Sequence, residues 1–466
     1  MLKICSVCGT ENESDSRFCR NCWTPTRCAQ KLTTEQVAGS KRDEFTRRSR
    51  LSNLRLIISG LVLMALIGFF LFQYSIRGMK TPATSIGSHI ENGSWPMHLG
   101  GPSLASQASR IEGNGQLWNR IAWTFETSMP ISSSPAVVDG ILYITTEDRR
   151  VLALGSDTGD HVWEFNTNSP SDSTPSVAGA LVFVALREGR LVALDKVDGS
   201  LVWDFHSTEP FFSSTTVYDG ILYVGSGDRT FYAFDAVTGE ILWTHDVGSR
   251  IMTTPSVNEE VVAFIAQDNM VRVLDARTGK LRLDYPIGTS NGSPSLEGNR
   301  LFFSDFNGSL RAIDWTQVQK PMEKIARRIR LQMFIWGFQS KAPVLKGTVW
   351  RFRRPSESFQ GTPSISGGAV YVPSSRGNVY KISSSEGRLV WIYSMNSRVT
   401  NQPTVHRDVI YVADDFGKIH GVSVLTGEVV WKLTLAGTKT SSVVVAGETM
   451  FVVTNVAGKG VLHAIK

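Results

Sequence analysis

Beyond residue 28 the chain has no cysteine: the five cysteines sit at 5, 8, 19, 22 and 28, and the remaining 438 residues have none. Disulfides and thiol chemistry are thereby excluded from the bulk of the protein, which must be held by packing alone. An excess of one charge sign is also lacking there. Residues 1–80 carry 13 Lys/Arg against 6 Asp/Glu, whereas the rest carry 35 against 36. This excludes a basic, nucleic-acid-binding main domain, and no nucleic-acid partner is expected. Neither Cys-x-x-Cys is followed by histidine, which excludes c-type haem attachment. What is present, 42% hydrophobic and 19% charged residues over a length of 466, is an ordinary globular balance with room for two or three domains.

Long apolar runs are lacking too, with one exception. LIISGLVLMALIGFFLFQYSI, from Leu56 to Ile76, is 21 residues without a charge between Arg55 and Arg77. At about 1.5 Å per residue it spans about 32 Å, enough to cross a hydrocarbon core, and it is read as one transmembrane helix. A cleaved signal peptide needs a shorter apolar stretch and a small-residue cleavage site, whereas Phe69, Phe70 and Phe72 stand near the end of this one. A buried core helix would be shorter and less evenly apolar. Lys41, Arg42, Arg47, Arg48, Arg50 and Arg55 precede the span, and only Arg77 and Lys80 follow it at comparable distance. The positive-inside bias then predicts a single-pass protein of the cytoplasmic membrane, with its N-terminus in the cytoplasm and its large body extracytoplasmic.

Cys5-Ser-Val-Cys8-Gly9 and Cys19-Arg-Asn-Cys22-Trp23 offer four thiolates at the spacing of a tetrahedral metal site. So short a stretch has almost no core, so a bound ion would supply its folding free energy. A redox pair and a disulfide knot are the alternatives, the knot disfavoured on a reducing, cytoplasmic side. CSVCGTENESDSRFCRNCW resembles the small zinc ribbons at the N-termini of many bacterial membrane proteins, with Trp23 where that family has its second glycine. The resemblance implies one structural Zn²⁺ on Cys5, Cys8, Cys19 and Cys22, with no open coordination position. Cys28 lies outside the spacing and reads as a free thiol.

Tryptophan displays an internal repeat. Trp123, Trp163, Trp203 and Trp243 are each 40 residues apart, Leu283 takes the next place, and Trp350, Trp391 and Trp431 follow. Ser/Thr-Pro pairs keep the same beat, at Pro135, Pro175, Pro255, Pro294 and Pro363. Each unit has short β-branched and aromatic runs such as ILYVG and FYAFD, punctuated by Gly and Asp, which predict one four-stranded propeller blade. The last unit, from residue 442, lacks a Trp strand, and Ile121–Phe125 is a Trp strand with no blade before it. Joining the two closes an eight-bladed ring.

Units such as Ala233-Phe-Asp235-Ala-Val-Thr238-Gly239-Glu-Ile-Leu-Trp243 resemble the tryptophan-docking repeats of the PQQ-like propeller family, over about residues 92–466. Gly93-Ser-Trp95-Pro96-Met97 resembles that family's lead-in segment, or else is an ordered linker. The resemblance implies two kinds of function. Quinoprotein dehydrogenases of the family commonly stack PQQ on a vicinal cysteine pair and bind Ca²⁺. No such cysteines exist here and no Ca²⁺ ligands or catalytic Asp are recognisable, so PQQ is not expected and no catalytic or cofactor-binding residue is assigned. Asp414-Asp415 could pair for catalysis but reads as a hairpin turn. The propeller lipoprotein of the outer-membrane assembly machinery is instead a non-enzymatic scaffold, which implies envelope or membrane proteins as partners.

Between Asp314 and Trp350 the repeat carries about 27 extra residues, and 315–349 holds seven Lys/Arg against one Glu. Pro321 can start a helix that places Met322, Ile325, Ile329, Met333 and Trp336 on one face. Such a basic amphipathic helix either binds a bilayer surface or partner, or caps the blade's own apolar surface. The expected fold is all-β: an eight-bladed propeller of four-stranded blades, preceded by a small zinc ribbon and one transmembrane helix. Its parts are a ribbon (1–28), a basic linker (29–55), the helix (56–76), an external linker (77–116), and the propeller (117–466) with its insertion (315–349). The expected function is extracytoplasmic protein binding, with a quinoprotein dehydrogenase or a sensor reporting to the cytoplasm as alternatives.

Overall fold

The computed structural model describes residues 2–8, 10–26, 30–32, 60–65, 81, 82, 84, 86, 94–105, 120–318, 322–438 and 441–466. It divides into two compact units, Met1–Met79 and Lys80–Lys466.

The first unit contains a three-stranded antiparallel sheet, with Leu2–Ile4 between Glu11–Glu13 and Gln30–Leu32. Of the apolar span at 56–76, residues 60–65 are described, and they are helical and exposed. The rest of the span lies outside the described residues, as do Gly9, Cys28 and most of the basic linker. Among the described residues no helix is long and apolar enough to cross a membrane.

The second unit is an eight-bladed propeller of four-stranded antiparallel blades. Blade 1 is built from Ala136–Val138, Ile141–Thr146, Arg150–Gly155 and His161–Asn166, and the next six blades repeat that order. Blade 8 joins the two ends of the domain: Val444–Ala446, Thr449–Val456 and Lys459–Ile465 are completed by Ile121–Glu126, with Ala464 opposite Trp123. This closure is the one read from the sequence, and it gives the last blade its fourth strand.

One contact recurs between blades and explains the repeat. Six outer-strand tryptophans reach the following blade, where the indole N–H donates to a turn carbonyl: Trp123 to Ser156 (3.1 Å), Trp163 to Lys196 (3.0 Å), Trp203 to Ala236 (3.1 Å) and Trp243 to Ala276 (3.0 Å). Trp350 and Trp391 do the same to Ser384 and Val424. Beneath each ring lies the glycine of the same turn, at positive φ: a Cβ on Gly199 would stand 2.5 Å from Trp163, and one on Gly279 2.4 Å from Trp243. The rest of the motif serves this turn. Asp235 Oδ1 accepts the N–H groups of Val237 and Thr238 (2.9 Å each), and Ala233 sits directly opposite Trp243. Leu283 keeps the place of the missing tryptophan by packing on Gly347, near the end of the insertion.

A second series of bonds links blades 2 to 6. From blade 2 to blade 6 a Ser/Thr hydroxyl, at Ser214 and at the residue before Pro255, Pro294 and Pro363, accepts an N–H from the preceding blade: Thr174 N–H donates to Ser214 Oγ (2.9 Å), Ser214 to Thr254 Oγ1 (3.3 Å), Thr254 to Ser293 Oγ (2.9 Å) and Ser293 to Thr362 Oγ1 (2.9 Å). The sequence displays these Ser/Thr-Pro pairs; only the structure shows them stitching blade to blade.

Residues 94–105 lie on the axis. The innermost strands turn their free edges inward, and this segment satisfies them at one repeat position: the N–H groups of Val137, Val177, Val257, Leu296 and Ile365 donate to the carbonyls of Trp95, Pro96, Pro102, Ser103 and Ala105, at 2.7–2.9 Å. Those five strands belong to blades 1, 2, 4, 5 and 6, so the segment crosses from one side of the ring to the other. Trp95, Met97, Leu99 and Leu104 are buried. The boundary drawn from sequence at residue 117 leaves this stretch in the external linker; structurally it belongs to the propeller, because backbone donors on the axis need acceptors that the blades do not provide.

Crowding and backbone conformation can be separated at two glycines. Gly279 (φ +66°) lies under Trp243, whereas Gly248 (φ +70°) has nothing within 4 Å of a would-be Cβ. Gly248→Ala is expected to cost about 1 kcal/mol from the left-handed backbone, and Gly279→Ala about 2–4 kcal/mol because overpacking is added. Urea unfolding of the two variants gives the comparison, and equal losses would contradict the docking role.

Candidate functional site

The ribbon brings the four predicted cysteines together. Cys5 Sγ lies 3.5 Å from Cys22 Sγ, Cys8 Sγ lies 3.5 Å from Cys19 Sγ, and all four sulfurs are within 4.8 Å of one another. A tetrahedral ion with metal–sulfur bonds of about 2.3 Å sets sulfur–sulfur edges of about 3.8 Å, so the cluster has the size of a metal site. Two equivalent knuckles aim it: Cys5 N–H donates to the Thr10 carbonyl (3.0 Å) and Cys19 N–H to the Thr24 carbonyl (2.9 Å). Buried Asn12 ties them by accepting the Arg20 N–H at 2.8 Å. Burial pushes the Cys19 thiol up, yet the N–H groups of Cys22 and Asn21 outweigh it and leave the thiol at about 5. Cys22 stands at about 11: Thr24 lowers it, but the Cys8 and Cys5 thiols and burial prevail. A bound cation removes this conflict by favouring every thiolate at once.

Trp23, where the resembled ribbons have glycine, adopts φ +56° and is exposed. The turn therefore keeps the left-handed conformation without the residue suited to it. Trp23→Gly is expected to stabilise the ribbon by about 1–2 kcal/mol while keeping one divalent ion per chain, and Cys19→Ser to lose the ion. Metal analysis and thermal unfolding of the full chain, with and without chelator, read both effects.

In the propeller the two aspartates at 414 and 415 do separate structural jobs. Asp414 is buried; its Oδ1 accepts the N–H groups of Phe416 and Lys418 (2.9 and 2.8 Å), and its Oδ2 the Ser397 hydroxyl (2.5 Å). Asp415 accepts the Thr400 hydroxyl (2.6 Å) and faces Arg398. The axial segment contributes His98, whose Nδ1 lies 3.3 Å from Thr174 Oγ1 and whose imidazole burial pulls down to about 4. The vicinal cysteines that the PQQ resemblance implies have no counterpart here.

The insertion forms helix α1 (Glu323–Ile335), tied at its first turn by Glu323 to Lys346 (2.9 Å). Its predicted start, Pro321, lies outside the described residues. The predicted apolar face is not used to cap the blade: Ile325, Ile329 and Trp336 are 49%, 56% and 65% exposed, and Phe338 beyond them 76%. Sequence reading passed over three arginines of blade 5, Arg311, Arg351 and Arg353. The available signal was the outer strand WRFRR, which has arginine where blades 1 and 2 have Glu164 and Asp204.

With blade count, closure and docking motif established, the comparisons fall into place. The profile of the PQQ_2 family, described as outer membrane protein assembly factor BamB, matches residues 117–175, 151–393 and 346–466. The chain belongs to that family. No curated protein matches. Among solved structures the BamB-like propeller is similar to BamB from Moraxella catarrhalis, with 15% identity, 74% of this chain and 97% of that one covered, and a TM-score of 0.57. It is also similar to the quinohemoprotein alcohol dehydrogenase ADHIIG from Pseudomonas putida HK5 (13% identity, 83% of each chain, TM-score 0.63). A europium-containing methanol dehydrogenase gives 14% identity, 80% and 98% coverage, and a TM-score of 0.62. At such identities the likeness concerns the fold, which enzymes and non-enzymes share.

Proposed function

We propose that the chain is a non-enzymatic scaffold: a single-pass protein of the bacterial cytoplasmic membrane whose BamB-like propeller binds envelope or membrane proteins on the outer side. Residues 56–76 are its anchor, on the strength of their length, their lack of charge and the arginines before them. The ribbon lies in the cytoplasm and holds Zn²⁺ on Cys5, Cys8, Cys19 and Cys22, an all-thiolate set suited to a closed structural site. The observation that carries the scaffold reading is the exposed apolar face of α1, with Ile329 and Trp336 more than half exposed. Apolar side chains projecting together from an otherwise regular blade mark a surface made for contact with a partner or a bilayer.

A PQQ-dependent dehydrogenase is the second reading, favoured by the likeness to the two dehydrogenase structures. Against it stand the missing cysteine pair and the axial segment. A sensor that reports through the ribbon would share the architecture and would require association of the chain, because an isolated helix transmits little.

Ile329→Asp combined with Trp336→Asp is expected to leave thermal unfolding unchanged, both residues being exposed, and to weaken crosslinking to and co-purification with envelope proteins at least several-fold. Crosslinking of the full chain in membranes measures the effect; unchanged association would refute this surface.

A further inference from the structure

Blade 5 contains a cleft of about 490 Å³ beside the insertion, lined by Arg311, Arg351 and Arg353 together with Tyr285, Phe306 and Leu345. The cleft arises from a break in the repeat. In blade 4 the arginine of the third strand, Arg272, stands opposite Asp284; in blade 5 the equivalent Arg311 stands directly opposite another arginine, Arg351. Like charges facing across a strand pair repel, so this arrangement calls for a negative charge between them. Arg353, two residues along the same strand, projects on the same face as Arg351.

The protein supplies little of that charge. Asp305 is the single carboxylate lining the cleft. Its Oδ1 accepts the N–H groups of Asn307 and Ser309 (3.0 Å each), while Oδ2 meets Arg311 only at 3.4 Å. Asp414 plays the same turn-forming part in blade 7, where the nearby Arg398 faces Asp415 instead, so the turn alone accounts for Asp305. Arg311 also donates to the Pro286 carbonyl (2.8 Å), but its buried Nε has no partner. Arg351 reaches one neutral group, the Ser309 hydroxyl, at 2.9 Å. Three guanidiniums against one committed carboxylate leave about two positive charges unanswered.

A neighbouring cleft of about 480 Å³ shares Tyr285, Pro286 and Leu345 with the first and is lined by Arg327, Arg328 and Arg330 of α1. Arg327 Nε there is likewise buried without a partner. The basic side of the helix thus extends the positive field of the blade.

We propose that the cleft of Arg311, Arg351 and Arg353 binds a dianionic oxyanion, namely a phosphate monoester group. Guanidiniums match the paired oxygens of phosphate, and a phosphate monoester carries close to two negative charges at neutral pH. The ring of Tyr285 and the apolar Phe306 and Leu345 leave room for an organic body attached to the group. That body belongs either to a soluble phosphate ester or to the headgroup of an anionic lipid. The proposal is independent of the scaffold reading, since an enzyme or a scaffold could carry this site.

The test uses the purified full chain in zwitterionic detergent at fixed ionic strength, titrated with inorganic phosphate and with glycerol phosphate by calorimetry. Saturable binding is expected, weakened at least tenfold in Arg351→Gln and in Arg353→Gln. Both residues are exposed at the cleft rim, so folding is preserved and unfolding temperature checks it. A second arm titrates the same detergent-solubilised chain with short-chain phosphatidic acid, with short-chain phosphatidylcholine as the control. Binding of phosphatidic acid that is tighter than that of glycerol phosphate, falls in the same variants and is competed by phosphate identifies a lipid source; binding of glycerol phosphate at least as tight identifies a soluble one. Absence of saturable binding in both arms, or binding equal in wild type and variants, would overturn the assignment.

Discussion

The propeller depends on an indole seated over a glycine. Six outer-strand tryptophans stack on a positive-φ glycine of the following blade and donate to a carbonyl of the same turn, as Trp203 does with Gly239 and Ala236. The contact combines a large buried apolar area with a hydrogen bond that needs one backbone geometry. It therefore fixes the angle between neighbours at six junctions of the ring, including the one after blade 8, where Ile121–Glu126 closes against Lys459–Ile465. Glycine is required for a reason particular to this place, since any Cβ would enter the indole. The Ser/Thr hydroxyl series of blades 2 to 6 repeats the logic with polar groups.

Closing the ring leaves the innermost strands with donors facing the axis. Residues 94–105 answer them from Val137 across to Ile365, so the middle of the ring is built from the chain's own backbone. The binding surfaces we propose lie further out, on blade 5, whose outer half departs from the repeat. Blade 5 follows a leucine in the tryptophan position, holds the insertion and sets arginine against arginine. An apolar helix face and a positive cleft lie side by side there. Local departures from a repeat whose other units agree mark where function has been added to a fold.

Much of this was legible in the sequence because the repeat is periodic. The 40-residue spacing of tryptophan, the Asp-x-x-Thr-Gly turns and the unpaired Trp strand at 121–125 gave blade number and closure, since each reports a local requirement that every blade shares. The four ribbon cysteines were legible from spacing, and the structure brings their sulfurs together. The axial course of residues 94–105 was not, because it is set by backbone donors on five separate blades. The exposure of Ile329 and Trp336 was not either, since an amphipathic pattern gives a face without saying what the face meets. Arg311 and Arg351 lie 40 residues apart in sequence, separated by the insertion, and only strand register sets them opposite one another.

A propeller shared by BamB and by quinoprotein dehydrogenases leaves the choice between contact and catalysis to the site. The central claim here is that this propeller works by contact. The measurement that tests it most directly is a titration of the purified full chain with PQQ, with and without Ca²⁺, followed by tryptophan fluorescence and a dye-linked alcohol oxidation assay. A scaffold gives no saturable fluorescence change and no turnover. Saturable binding accompanied by turnover would make the protein a membrane quinoprotein and contradict the reading.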